Sequence, residues 1–160
     1  MAEQPLLIYW DASVFLDYVN GVPDKLPLLD ALLDRAIPGG DVEIVTSMLS
    51  ITEVAFGYLD QFAQHFDPAI QAKIDALWTD PIIKQVELYK EIAFEARDLV
   101  RTARLAKKGL KPPDAIHLAT ARRIGAVEFH TFDHRLFQYA SQLGFPIIEP
   151  RASQPRIPGI

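Results

Sequence analysis

Four carboxylates stand at positions from which they can share one site. Asp11 directly follows the apolar run Leu6–Trp10, and Glu53 opens the helix after a second candidate strand, Val42–Thr46. Asp114 comes just after Pro112-Pro113, and Asp133 lies two residues beyond Thr131. In an open parallel sheet, ligands bind beyond the carboxyl ends of the strands. Four like charges gathered there, in a partly desolvated cleft, would repel one another strongly. A divalent cation resolves that conflict. Carboxylate oxygens without sulfur or imidazole suit a hard ion, Mg²⁺ or Mn²⁺. The reaction class that follows is metal-assisted hydrolysis of a phosphodiester, in which the ion activates water and stabilises charge developing on phosphate oxygens.

Each of these residues also has a local role open to it. Asp11 suits the N-cap of a helix at Ser13. Ser50-Ile-Thr-Glu53 has the pattern of a capping box, with Glu53 reaching back to the helix start. Asp114 in a first helical turn complements the helix dipole, and Asp133 can cap the helix that follows it. Capping and chemistry do not exclude each other at a strand rim. The joint placement of the four acids, rather than any one of them, carries the reading.

The elements that must position these acids follow from periodicity. Leu6–Trp10 is too short for a helix and reads as a buried parallel strand. Ser13–Val19 reads as a short helix, and a second opens at Pro23-Asp24 and stops at Pro38-Gly39-Gly40. Val42–Thr46 is the second strand. Ser50–Phe66 carries Ile51, Val54, Ala55, Tyr58, Leu59 and Phe62 at helical spacing and is expected to be one helix. Asp67-Pro68 starts another, to about Trp78. Pro81–Leu88 is the third strand and Tyr89–Lys108 a long amphipathic helix. The next helix begins around Pro113 and ends at Gly125. Val127–Thr131 is strand four, Asp133–Leu143 a helix, and Phe145–Ile148 a short fifth strand. This alternation is that of an α/β domain with a mostly parallel sheet and helices on both faces.

The chain has 160 residues, 49% of them hydrophobic and 23% charged, which suits one folded domain and excludes a disordered chain. It has no cysteine, which rules out disulfides, thiolate catalysis and cysteine-ligated metals. Its longest stretch without a charged residue, 136–148, is too short to span a membrane. The start carries no basic residue and does not read as a secretory signal. A cytoplasmic protein with no membrane partner is expected. Residues 1–150 are taken as a single domain, and 151–160 as an extended or disordered tail.

The charge is uneven. Residues 1–96 hold 5 basic and 16 acidic side chains, whereas residues 97–160 hold 11 basic and 5 acidic. Such asymmetry points to a polyanionic partner for the second half. Within it, Arg97, Arg101, Arg104 and Lys108 fall on one helical face, leading into Lys111 and Asp114. Arg101, Arg104 and Lys108 are the candidate substrate-binding residues, holding phosphates near the acids. The same charges also suit a solvated helix end.

The acids sit in motifs that resemble those of PIN domains. Leu-Ile-Tyr-Trp-Asp11-Ala-Ser13-Val-Phe-Leu is similar to their opening, and Thr46-Ser47-Met-Leu-Ser-Ile-Thr-Glu53-Val to their second acidic motif. Lys111-Pro-Pro-Asp114-Ala-Ile-His117-Leu-Ala-Thr-Ala121 is the most specific match, and His130-Thr131-Phe-Asp133 resembles the fourth. The resemblance spans residues 6 to about 148 and lies with the VapC-like toxins of toxin–antitoxin pairs. It implies a three-layer α/β/α sandwich with about five mostly parallel strands. It implies an Mg²⁺- or Mn²⁺-dependent endoribonuclease acting on RNA, a homodimer, and a cognate antitoxin protein. On it, Asp11, Glu53, Asp114 and Asp133 are the catalytic and metal-site acids, and Ser13 and Thr131 the hydroxyls that support them.

Other readings have less behind them. A catalytically silent PIN-like module binding RNA or protein would more simply lack one of the acids. An aspartyl phosphatase pairs two aspartates as Asp-x-Asp, and here the second position is Ser13. No Gly-x-Gly-x-x-Gly follows the first strand, which argues against dinucleotide binding. His117, one turn from Asp114, is assigned to helix packing or capping ahead of a role in the site. Phe56, Tyr58, Phe62, Phe66, Trp78 and Tyr89 are assigned to the core or to an apolar partner groove, ahead of base stacking.

Overall fold

The computed structural model describes residues 3–151. The expected tail, 151–160, lies outside the described residues except for Arg151. Five strands form one sheet: β1 (Leu6–Trp10), β2 (Val42–Ser47), β3 (Ile83–Val86), β4 (Glu128–His130) and β5 (Ile147–Ile148). All neighbours pair in parallel, in the order β3-β2-β1-β4-β5. β1 is central, with Ile8 opposite both Ile44 and Glu128. A central parallel strand is covered on both faces, so an unbroken apolar run is what it requires.

Side chains alternate across β1 and so divide the core in two. Ile8 and Trp10 face a layer made by α1 (Ala12–Val19), α2 (Leu26–Arg35) and α4 (Pro68–Thr79). Tyr9, with Phe129 of β4, faces the layer of α5 (Lys90–Leu105) and α6 (Pro112–Arg123). The result is the three-layer α/β/α sandwich. α5 buries Ile92, Ala96, Leu99 and Ala103, one face of a helix, and leaves Arg97, Arg101 and Arg104 outside. α6 begins on Pro112 and Pro113, where missing N–H groups cost nothing, and buries Ala115 and His117 to Ala121 without interruption.

Two helices differ from expectation. The segment 50–66 is not one helix: α3 spans only Leu49–Glu53, and Asp60–Phe62 forms a single 3-10 turn. Side-chain hydrogen bonds hold the backbone in another path. Asn20 Oδ1 accepts the Tyr58 N–H at 2.9 Å, and Asp60 accepts from Asp67 N–H at 3.0 Å and Gln71 Nε2 at 3.1 Å. Gly57 packs so closely against α4 that an added Cβ would lie 2.8 Å from Ile70 Cγ2. The helical spacing of apolar residues therefore marks no buried face. Phe56, Tyr58, Leu59, Phe62 and Phe66 are exposed, Leu59 and Phe62 at 84% each. Of the six aromatics assigned to a core or groove, Trp78 packs on the α1–α2–α4 core, while Phe56, Tyr58, Phe62, Phe66 and Tyr89 stand at the surface.

The segment 133–143 is likewise divided. His134–Tyr139 is a 3-10 turn, and only α7 (Ala140–Leu143) is α-helical. Three residues per turn bring Leu136 and Tyr139 to the same side, where both are buried. Gly144, at φ +83°, ends α7. No described helix is long and apolar enough to cross a membrane.

Candidate active site

The carboxyl edge of the sheet holds a cleft of about 220 Å³ lined by Asp11, Ser13, Glu53, Asp114, His117 and Asp133, with Ala12 and Leu16. All four acids singled out from the sequence reach it. Depressions of about 300 and 380 Å³ lie between α2 and α4 around Tyr18, Asp30, Leu77 and Asp80. They are larger, but the convergence of acids from four segments makes the smaller cleft the chemical site.

Asp11 leaves the end of β1 and caps α1. Its Oδ1 accepts the Ser13 N–H at 3.0 Å and the Ser13 hydroxyl at 2.5 Å. Capping and cleft placement are thus the same geometry. Ser13 Oγ also accepts the Phe132 N–H at 3.0 Å and stands 3.3 Å from Thr131 Oγ1, which in turn accepts the Asp133 N–H at 2.9 Å. The two hydroxyls therefore link the ends of β1 and β4.

Glu53 does not take part in a capping box. It is the last residue of α3, whose first N–H, that of Leu49, is accepted by the Ser47 hydroxyl at 3.2 Å. Ser50 is buried and its hydroxyl lies 2.7 Å from Thr46 Oγ1. Thr46 donates its own hydrogen to the carbonyl of Trp10 at 2.7 Å, so Ser50 is the donor in that pair. The Glu53 carboxylate instead meets His117 Nε2 at 2.5 Å. His117 is buried in α6, and its Nδ1 lies 2.6 Å from the Tyr9 hydroxyl. The packing role expected of His117 is joined by direct contact with the site.

Asp114 lies in the first turn of α6 and Asp133 at the start of the 3-10 turn. Arg135, a residue the sequence did not single out, grips Asp133 through both oxygens, Nε to Oδ1 at 2.9 Å and Nη2 to Oδ2 at 2.6 Å. A bidentate pair of this kind is geometrically specific.

The electrostatics separate the acids. Burial pushes Asp11 above its ordinary range, against the opposing pull of the Ser13 hydrogen bonds. Burial also pushes Asp114 up, and the charge of Asp133 adds to it. The Arg135 guanidinium holds Asp133 below the usual carboxylate range. Two raised carboxyls facing two others mark a place where a cation would be welcome. The donors are all oxygens, which fits a hard divalent ion. Among the described residues no three Asp, Glu or His side chains already stand at ligand spacing. The fit is one of donor chemistry, with His117 and Arg135 each holding one of the acids.

Arg101, Arg104 and Lys108 do not join this cleft. They are exposed, and none lines it. Lys108 Nζ instead lies 5.5 Å from the centre of the Tyr139 ring.

With this geometry described, comparison with known proteins gives a consistent result. The family model of the PIN domain matches residues 8–142. No curated protein matches the sequence. Among solved structures, the chain is similar to VapBC2 from Rickettsia felis, bound to a DNA fragment from its promoter. The TM-score is 0.64 at 14% identity, covering 90% of this chain and 98% of that one. It is similar to Mycobacterium tuberculosis VapC20, described as a toxin cleaving the sarcin-ricin loop. There the TM-score is 0.62 at 19% identity, over 86% of this chain and 95% of that one. FitAcB from Neisseria gonorrhoeae matches with a TM-score of 0.62 at 17% identity, over 89% and 97%. At these identities the likeness is one of fold.

Proposed function

The chain belongs to the PIN-domain family, and on that premise we propose that it is a divalent-metal-dependent endoribonuclease, the toxin of a toxin–antitoxin pair. One observation carries the reading: Asp11, Glu53, Asp114 and Asp133, from four separate segments, line one cleft at the carboxyl edge of the sheet. Asp11 and Asp114 are the acids best placed to hold Mg²⁺ or Mn²⁺, with Glu53 and Asp133 completing the set. Such an ion supplies activation of water and neutralisation of charge on the scissile phosphate.

The protein's own groups do the rest. Ser13 fixes the Asp11 carboxylate, and Thr131 fixes the backbone that carries Asp133. Arg135, exposed at the rim, offers a guanidinium that suits a phosphate as well as it suits Asp133. Arg101, Arg104 and Lys108 serve the RNA backbone at a distance from the cleft. Their role is long-range phosphate contact, which positions a substrate without reading its sequence.

Residues 1–150 act as one domain, in the cytoplasm, as a homodimer. The homodimer and the antitoxin partner rest on the resemblance to VapC-like toxins, and the single domain and its location on length and composition. The exposed apolar segment carrying Phe56, Leu59, Phe62 and Phe66 is the surface we assign to the antitoxin, because apolar exposure of this extent marks a protein interface.

The test is incubation of the protein with structured RNA and with single-stranded DNA, in Mg²⁺, Mn²⁺ or EDTA, beside Asp11→Asn. Metal-dependent RNA cleavage that the variant lacks is the expected result. RNA bound but cleaved under no metal would replace the nuclease with a silent binding module.

A further inference from the structure

Glu53 receives little support from its own segment. α3 has five residues and ends at Glu53, and Val54 has already left helical geometry. The Glu53 side chain is 30% exposed. What holds it comes from other elements. Its Oε1 meets Nε2 of His117, on α6, at 2.5 Å. Nδ1 of the same ring lies 2.6 Å from the hydroxyl of Tyr9, on β1. The Tyr9 oxygen accepts the N–H of Ser47, at the end of β2, at 3.0 Å. Tyr9 is fully buried and His117 is 2% exposed.

For a neutral imidazole, one arrangement of protons gives every one of these contacts a donor and an acceptor. The Ser47 N–H only donates, so the Tyr9 oxygen is the acceptor in that bond. In that arrangement the phenolic hydrogen goes to His117 Nδ1, which accepts it. The ring proton is therefore on Nε2, directed at Glu53, whose carboxylate accepts. Moving the ring proton to Nδ1 would take from the phenolic hydrogen this acceptor and leave the Glu53 carboxylate facing a lone pair.

We propose that Tyr9 and His117 are positioning residues that fix the Glu53 carboxylate for a divalent ion in the cleft, through a chain of defined direction from Ser47 to Tyr9 to His117 to Glu53. This rests on the nuclease reading above and adds to it two residues that act through Glu53. Partners that orient a ligand in this way govern metal affinity as strongly as many ligands do. Oε1 is committed to His117, which leaves Oε2 as the oxygen Glu53 offers to the cleft.

The experiment is Mn²⁺ titration of the RNA-free protein by electron paramagnetic resonance, together with ¹⁵N spectra of the His117 ring. Wild type is expected to show Nδ1 as the unprotonated nitrogen. Tyr9→Phe keeps the ring and loses only the hydroxyl, and is expected to weaken Mn²⁺ binding about 10-fold with KM for RNA unchanged. His117→Ala is expected to weaken it at least as much, and His117→Gln, which keeps a donor near the Nε2 position, to recover part of the loss. A folded Tyr9→Phe and a folded His117→Ala that both bind Mn²⁺ like wild type would overturn the proposal, as would a proton on Nδ1. Failure of wild type itself to bind Mn²⁺ would overturn the nuclease reading and the purpose of the chain with it.

Discussion

The hydroxyls of Ser13 and Thr131, 118 positions apart in the sequence, stand 3.3 Å from each other beneath the acidic cleft. Ser13 gives its hydrogen to Asp11, so Thr131 is the donor between the two hydroxyls. The pair thereby passes one direction of polarity from the end of β4 to the carboxylate at the end of β1. Ser13→Ala removes the donor nearest Asp11 and leaves the Phe132 N–H without its acceptor. It is expected to cost about 1–3 kcal/mol in thermal unfolding and to slow RNA cleavage about 10-fold or more. Thr131→Ala should slow cleavage only in part. Unchanged rates in both would make the hydroxyls purely structural.

Tyr58 fastens the segment after Glu53 to α1. Its hydroxyl donates to Asp17, which also takes a 2.5 Å contact from Lys25, and its N–H is held by Asn20. Tyr58→Phe removes one bond to a charged acceptor, worth about 1.5–3 kcal/mol. The loss should appear locally, as faster hydrogen exchange and proteolysis in residues 54–66. Amides of β1 and α6 should keep their protection. Uniform loss of protection across the chain would show that the segment is an integral part of the core.

Acid stability should depend on a buried pair on β4. His130 and Glu128 lie side by side on β4 at 2.8 Å, and Arg151 reaches Glu128 at 2.6 Å. Burial lowers His130, so in the folded state it resists protonation. Burial alone would raise Glu128, but the bonds from His130 and Arg151 bring it below its ordinary range. Both folded values lie below the unfolded ones. Both groups thus add stability that is present above the unfolded value and lost as pH falls through the folded one. The His130 contribution begins to fade below about pH 6.5 and the Glu128 contribution below about pH 4.3. Denaturant midpoints measured across this range should fall with pH. Glu128→Gln should unfold earlier than wild type at pH 7, and the two should converge in acid. A constant gap between them would refute the assignment.

The basic face of α5 gives a prediction about salt. Arg101→Ala combined with Arg104→Ala should reduce the slope of log affinity against log salt by about 1.4 on single-stranded RNA, for two phosphate contacts. An unaltered slope would return these arginines to the role of a solvated helix face.

Much of this was legible in the sequence, for identifiable reasons. Asp11, Asp114 and Asp133 each sit where an apolar strand stops or a helix starts, so local pattern alone sets them at the sheet edge. Glu53 was found by position, but its local partner was misjudged: Ser50 turns inward to Thr46, and Glu53 crosses to α6. The joint role of Tyr9 and His117 was not legible, because their bond spans 108 residues and depends on β1 lying against α6. The run 50–66 misled because apolar spacing suggests a buried face, and nothing in a linear pattern shows that no core lies opposite. Arg135 is a surface arginine in sequence and becomes part of the site only through its grip on Asp133.

The strand order β3-β2-β1-β4-β5 has a consequence for synthesis on the ribosome. Asp11 precedes Asp133 by 122 residues (133 minus 11), and Asp133 follows β4, the second neighbour of the central strand. At ordinary elongation rates that gap is on the order of 10 s. A nascent chain short of Asp133 has neither the complete acidic set nor the edge strand β5. The acidic cleft is therefore completed in a single late step, and a chain stopped upstream of Asp133 lacks it.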